Sequence, residues 1–248
     1  MTTPPLVSVV LPCRNQADHI GQVVPRYAAA FDRVGMPFEL IMVPNASTDG
    51  TEHQVRALAA ADSRVQCVAN PSGGWGLSVR VGLEAACGQV LAYTNTARTD
   101  PEALLEFILR HLERPGTLVK AARRRRNARL REVGSWLYNI EARMLFGVRC
   151  EDVNGTPKVF SRALYNRIAL IQDGDMLDLE LIAQATRLGI SILDIPTYGF
   201  KRHSGKSSTT LLSAWRMYTG ALRHRLHPPR PAVPVPINTD PAERSSVA

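Results

Sequence analysis

The chain has 248 residues, 45% hydrophobic and 21% charged, which is enough apolar material to bury the core of one sizeable domain and too much for a disordered chain. Lys and Arg number 30 against 22 Asp and Glu, and the formal charge of +8 points to an anionic partner such as phosphate, nucleic acid or an anionic membrane surface. No apolar run approaches the roughly 18 residues of a membrane-spanning helix, and residues 1–6 lack the basic-then-apolar pattern of a secretory leader, so the expected location is cytoplasmic, or peripheral at a membrane.

In chain order, residues 6–11 form a short valine-rich run ended by Pro12 and read as a buried strand, followed by a helix over 17–31 carrying Ile20, Val23, Val24, Tyr27 and Phe31 at helical spacing. A second strand over 38–43 leads through the turn-rich Asn45-Ala-Ser-Thr-Asp-Gly-Thr51 into a helix over 52–61. The pattern continues with a strand over 65–69, a glycine-rich loop over 70–76, a helix over 77–86, a strand over 89–93 and a helix over 101–112 that opens on Pro101. Strands alternating with helices predict an α/β fold, a mainly parallel sheet with helices on both faces. Ligands in such sheets bind at the carboxyl ends of strands, which directs attention to the loops 12–16, 44–49, 70–76 and 94–99.

The second half is less regular. A strand over 117–121 runs into the basic stretch 120–131, with Lys120, Arg123, Arg124, Arg125, Arg126, Arg129 and Arg131. Helices are expected over 135–146, 162–171 and 177–187, and a strand over 190–195. Residues 211–226 are amphipathic, with Leu212, Trp215, Tyr218 and Leu222 near one stripe and Arg216, Arg223 and Arg225 off it. The proline-rich, polar residues 228–248 are expected to be disordered, giving a domain over 1–208, an amphipathic basic helix over 209–227 and a tail. Cys13, Cys67, Cys87 and Cys150 lack the close pairing of a metal site and read as reduced thiols.

Six motifs follow one another: Val7-Ser-Val-Val-Leu-Pro12 with Asn15; Ser47-Thr-Asp-Gly-Thr51; Asn70 with Gly73, Gly74 and Gly76; Asp152-Val-Asn-Gly155 with Lys158-Val-Phe160 and Arg162; Gly189 to Pro196; and Arg202 with Gly205 and Ser207. In this order they resemble glycosyltransferase family 2, and most of all its polyprenyl-phosphate (dolichol-phosphate) sugar synthases. The resemblance implies a GT-A fold, a UDP- or GDP-sugar donor and, in that subgroup, a lipid-phosphate acceptor attacked with inversion at the anomeric carbon. A phosphate is already nucleophilic at neutral pH, so the protein's main tasks would be positioning and stabilising the departing nucleotide diphosphate.

Two departures from the family pattern bear on this. The family's acidic pair before Ser47 is replaced by Pro44-Asn45-Ala46; Asn45 keeps an acceptor oxygen and adds two donors, which would alter base preference. The Asp-x-Asp that holds a divalent ion in the family is missing from Tyr93-Thr94-Asn95-Thr96-Ala97-Arg98-Thr99. Thr94 and Thr96, or in the shifted register Asn95 and Ala97, take its place, so Mg²⁺ or Mn²⁺ loses its charged ligands and no metal cofactor is expected. Three readings stay open: a transferase that offsets diphosphate charge with arginines such as Arg98, Arg126 or Arg202; a chain that has lost catalysis and binds or regulates a partner; and an unusual metal site drawing on Asp100 or Asp152.

The resemblance places the donor against Pro12, Arg14, Asn15, Gln16, Asn45, Ser47, Asn70, Gly74, Thr94, Asn95 and Thr96, with Arg98, Arg126, Arg202, Lys206 and Ser207 on the phosphates. Read alone, Asp49 is a loop and cap residue, and the glycines of 73–76 make a permissive turn. The catalytic candidates are Asp152, on the acceptor side, and Asp178, in the stretch where family members with hydroxyl acceptors place a base. Asp178 and Glu180 lie about 200° apart on a helix, so at most one faces the cleft. The lipid acceptor would bring the chain to an anionic membrane, with 211–226 either in the interface or packed on the domain. Nucleic acid is not expected, because the basic stretch has no interleaved aromatic platform.

Overall fold

The computed structural model describes residues 6–96, 100–124 and 129–198, the stretch 129–136 by its backbone alone. Among the described residues, seven strands and seven helices follow one another as β1 (Val7–Cys13), α1 (Ile20–Arg33), β2 (Phe38–Pro44), α2 (Thr51–Ala61), β3 (Val65–Cys67), α3 (Trp75–Ala85), β4 (Val90–Tyr93), α4 (Pro101–Glu113), β5 (Leu118–Arg124), α5 (Arg129–Phe146), β6 (Lys158–Ser161), α6 (Arg162–Tyr165), α7 (Leu177–Arg187) and β7 (Ile192–Tyr198). They build one sheet in the order β3-β2-β1-β4-β6-β5-β7. Only β6 runs antiparallel to its neighbours, so the sheet is mainly parallel, as the alternating pattern predicts.

Strand alternation divides the core. From β1, Val7, Val9 and Leu11 enter a layer with α1, α2 and α4, whereas Val10 enters the opposite layer with Val79 and Leu83 of α3 and Leu177 and Leu181 of α7. Both faces of these strands are covered: every residue of β1 and β2 is buried, which is why they read as nearly continuous apolar runs. A third cluster joins Tyr138 and Ala142 of α5 to Leu179 and Ile182 of α7.

Three expectations are corrected. The helix over 162–171 is only the four residues of α6, because Gln184 of α7 takes the Ala169 amide and carbonyl and Glu180 takes the Ile171 and Gln172 amides, drawing 169–172 out as a loop. Lys158–Ser161, read only as part of a motif, is a strand; four residues with a lysine at their head carry no period of their own. The strand expected over 117–121 runs on to Arg124 as β5, with Lys120 fully buried in it, and the helix expected from 135 begins six residues earlier as α5 and so takes in Arg129 and Arg131. The 211–226 helix and the 228–248 tail lie outside the described residues.

Candidate active site

The loops after β1, β2, β3 and β4 meet at one edge of the sheet, and their side chains bond to one another. After β1, Asn15 adopts the left-handed region at φ 50°, which an asparagine tolerates, and its Oδ1 accepts the Thr48 amide at 2.9 Å while its own amide donates to Ser47 Oγ at 3.2 Å. Asp49 joins the same two loops. One carboxylate oxygen accepts the Ala17 amide, and the other accepts the Thr51 amide and hydroxyl. Burial works against the charge of Asp49, yet these bonds hold its carboxyl below the usual aspartate range. The cap reading of Asp49 thus describes what it does here.

The β3–α3 loop is tied in by Asn70, which is buried: its amide donates to the Pro44 carbonyl, its carbonyl accepts the Ala46 amide, and its Nδ2 donates to Ser78 Oγ on α3 at 2.9 Å. Gly74 sits at φ 107° and Gly76 opens α3, and both face the backbone of residues 172–174. A Cβ on Gly76 would stand 2.2 Å from the Gln172 carbonyl oxygen, and the neighbouring Leu77 amide donates to the Asp173 carbonyl. The close approach these glycines permit is therefore to the chain's own α6–α7 loop. At the end of β4, Thr94 and Thr96 are buried; the Thr94 amide donates to the Val10 carbonyl and Thr96 Oγ1 to the Pro12 carbonyl at 3.0 Å.

Two amide oxygens in these loops, Gln16 Oε1 and Asn45 Oδ1, are buried without a hydrogen-bond partner. Such an oxygen costs about 1–3 kcal/mol until a donor reaches it. Gln16 is itself almost wholly buried, and Arg14 beside it is exposed.

Across the other half of the sheet runs a row of polar residues in register: Tyr93 on β4, Lys158 on β6, Lys120 on β5 and Asp194 on β7. Both lysines are fully buried. Lys158 Nζ contacts Asp178 Oδ1 of α7 at 2.5 Å and the Gly155 carbonyl at 2.9 Å, and the Tyr93 hydroxyl donates to the same carboxylate oxygen at 2.7 Å. Burial, followed by Asp178, pushes the Tyr93 phenol well above its ordinary value. For Lys158, burial and Lys120 lower the ammonium pKa and Asp178 only partly opposes them. Lys120 pairs with Asp194 at 2.7 Å, and the second Asp194 oxygen accepts the Glu151 amide.

Asp152 stands beside this row. Arg123 clamps it through Nε at 2.6 Å and Nη2 at 2.9 Å, and the Arg123 amide adds a third contact. Burial opposes the Arg123 charge and the carboxylate more than offsets it. Asn139 of α5 accepts the Val153 amide and donates to the Glu151 carbonyl. The 151–157 segment is thereby fixed by β5, α5 and the lysine row together. Asp178 points at the sheet and Glu180 at the 171–172 amides, so the two acids do separate, and both are buried.

The donor set does not suit a divalent ion at the end of β4. Thr94, Asn95 and Thr96 offer neutral oxygens only, and the nearest carboxylate along the chain, Asp100, caps the Glu102 amide and pairs with Arg26 at 2.7 Å. Asp152 is likewise engaged by Arg123. Among the described residues no group of three or more His, Cys, Asp or Glu is placed to hold a metal.

The structure thus brings Pro12, Asn15, Gln16, Asn45, Ser47, Asn70, Thr94 and Thr96 to one edge, with Asn95 half-buried among them. It sets Asp152 and Asp178 on the side where β6 begins. Arg98, Arg126, Arg202, Lys206 and Ser207 lie outside the described residues. Sequence reading named Lys158 only within a motif and Arg123 only within a basic run, and it missed the buried row that joins Lys158 to Tyr93, Lys120 and Asp194. The available signal was Lys120 embedded in the apolar run Leu118-Val-Lys120-Ala-Ala, since a lysine is almost never fully buried without a partner.

Comparison with known proteins agrees with this architecture. The chain is 23% identical over 171 residues to the undecaprenyl-phosphate 4-deoxy-4-formamido-L-arabinose transferase of Aeromonas hydrophila, covering 68% of this chain and 52% of that protein. It is 24% identical to the dodecaprenyl-phosphate galacturonate synthase of Rhizobium johnstonii, covering 66% and 50%. The chain therefore spans about half the length of these curated relatives. Among solved structures, glucosyl-3-phosphoglycerate synthase from Mycobacterium tuberculosis, in complex with Mn²⁺, UDP and glucosyl-3-phosphoglycerate, superposes with a TM-score of 0.69 at 22% identity, covering 91% of this chain and 81% of that one. The fold is GT-A, and the glycosyl transferase family 2 model matches residues 8–172, so the chain belongs to glycosyltransferase family 2.

Proposed function

We propose that this chain transfers a sugar from a UDP- or GDP-sugar to an acceptor phosphate, a polyprenyl phosphate in the first instance, without a divalent ion at the end of β4. The observation that carries the reading is the donor edge itself. Four strand-end loops converge there, and its β4 corner holds threonine hydroxyls where a metal site needs carboxylates. In the reaction an acceptor phosphate oxygen attacks the anomeric carbon, the bond from that carbon to the diphosphate oxygen breaks, and the nucleotide diphosphate leaves with the electron pair. Arg98, Arg126, Arg202 and Lys206, with Ser207, are the groups we assign to its charge; guanidinium is suited to bind phosphate oxygens in pairs. Pro12, Arg14, Asn15, Gln16, Asn45, Ser47, Asn70, Gly74 and Asn95 are assigned to the nucleotide, and Asp152 and Asp178 to the acceptor side. Relatives named for polyprenyl-phosphate substrates support the acceptor class, and such an acceptor would place the chain at an anionic membrane surface.

Calorimetry with UDP- and GDP-sugars, with Mn²⁺ and with EDTA, tests the reading. Affinity within about twofold in the two conditions is expected, and binding abolished by EDTA would overturn metal independence. A second reading, a non-catalytic family member that binds or regulates a partner, is favoured by one observation: both acidic candidates already hold basic partners, Lys158 and Arg123. It predicts no sugar-phosphate product from any donor with undecaprenyl phosphate in detergent, whereas product formation removes it.

A further inference from the structure

The residues around Asn154 are each held in place. Arg123 clamps Asp152, and the Val153 amide donates to Asn139 Oδ1. The Gly155 amide donates to the Asp152 carbonyl and its carbonyl accepts Lys158 Nζ, while its Cα lies against the Ala121 carbonyl with no room for a Cβ. Asn154 itself is half-buried and does none of this work. Its Oδ1 is buried without a hydrogen-bond partner, and its Nδ2 donates to no group among the described residues. A side-chain amide positioned by its neighbours and unanswered at both ends offers a ligand one acceptor and two donors. Rotation about χ2, broad for an asparagine and opposed here by no hydrogen bond, brings either end to the half-exposed side.

The place of the segment, taken with the reaction proposed above, selects the ligand group. Lys158, the first residue of β6, lies opposite Tyr93, the last of β4, so the chain enters β6 from 151–157 at the level where it leaves β4 for Thr94–Thr96. That β4 corner is assigned to the diphosphate, and Asp152 and Asp178 to the acceptor. The transferred sugar is bonded to the first and attacked from the second, so it lies between them, where Asn154 stands. Neither phosphate answers an amide oxygen, because at neutral pH both present acceptor oxygens almost exclusively. The base and ribose are assigned to loops after β1 and β2, and β1 is two strands away from β6. Sugar hydroxyls remain, each a donor and an acceptor. Two adjacent hydroxyls match the amide, one donating to Oδ1 and the other accepting from Nδ2.

We propose that Asn154 determines specificity for the transferred sugar, its side-chain amide reading a pair of neighbouring hydroxyls on the sugar ring. The inference rests on the proposed transfer reaction and goes further in assigning sugar recognition to one side chain. It selects donors that keep a vicinal hydroxyl pair over those in which one of the two is missing.

Calorimetry on the full chain with UDP-glucose, UDP-galactose and GDP-mannose, set against UDP and GDP alone, tests it in the parent and in Asn154→Ala. The variant is expected to bind the best of these donors about fivefold or more weakly, with UDP or GDP affinity kept within about twofold. A donor with one hydroxyl of the pair replaced by hydrogen is expected to bind the parent more weakly by a similar factor and to bind Asn154→Ala no worse than the complete donor does. Because the amide makes no bond within the described fold, the thermal midpoint of Asn154→Ala is expected to equal or exceed the parent's. A midpoint lowered by more than about 4 °C would make the amide part of the fold and overturn the inference. Equal weakening of donor and free nucleotide, or no weakening of either, would overturn it alone. A parent that binds neither nucleotide nor nucleotide sugar would remove the transfer reaction and this inference together.

Discussion

Asp49 shows how much a single side chain can fix. Its two oxygens accept three donors from two loops, Ala17 after β1 and Thr51 at the head of α2, and so join the loops on which Asn15, Gln16, Asn45 and Ser47 stand. Because its folded carboxyl titrates below the ordinary value, it contributes stability that is present above about pH 3.9 and is lost as the pH falls through the folded value. Urea midpoints at pH 7 and pH 3 are therefore expected to differ less in Asp49→Asn than in the parent. An equal drop in both would show that this carboxylate is not the linked group. A residue-level role of this kind was legible in the sequence, since Ser-Thr-Asp-Gly-Thr before a helix states a cap locally. The partners of Asp178 were not, because Lys158 and Tyr93 lie 20 and 85 positions away and meet it only through the sheet.

At the scale of elements, α3 and the loop before α7 behave as one unit. Gly76 lets the head of α3 close on the 172–174 backbone, Arg80 pairs with Asp173 at 2.6 Å and donates to the Ile171 carbonyl, and Glu180 gathers the next two amides from the far side. Gly76→Ala forces a Cβ against backbone oxygens that cannot swing aside and is expected to cost about 1–3 kcal/mol in urea unfolding. Gly174→Ala meets no atom within 4 Å and is expected to be neutral or slightly stabilising; similar losses in both would remove the close approach as the cause. The first four strand–helix units were readable because each carries its period and its turn residues within about 30 positions. Helix α6 and strand β6 were not, being four residues each and placed by what they pack against.

For the whole molecule, the Tyr93–Lys158–Lys120–Asp194 row spans four adjacent strands, so a change at its centre is expected to lower global stability, not to loosen one loop. Lys158→Met leaves the Asp178 carboxylate buried without its cation and is expected to cost about 3–5 kcal/mol in equilibrium unfolding, and Lys158→Met/Asp178→Leu to recover much of that. A double variant as unstable as the single one would show that packing, not charge, is what Lys158 supplies. The charge of +8 was visible from composition, but its division was not: two of its lysines are buried inside the sheet, each against a carboxylate. The reversed strand β6 has a consequence of its own. Every other strand of this sheet ends at the edge where the Asn15, Asn45, Asn70 and Thr96 loops meet, whereas β6 begins there, with Lys158 opposite Tyr93. The segment between α5 and β6 is thus anchored at both ends, and Gly155 lies so close to β5 that a Cβ there would stand 1.8 Å from the Ala121 carbonyl oxygen, so the loop that starts β6 is held as rigidly as the sheet it enters.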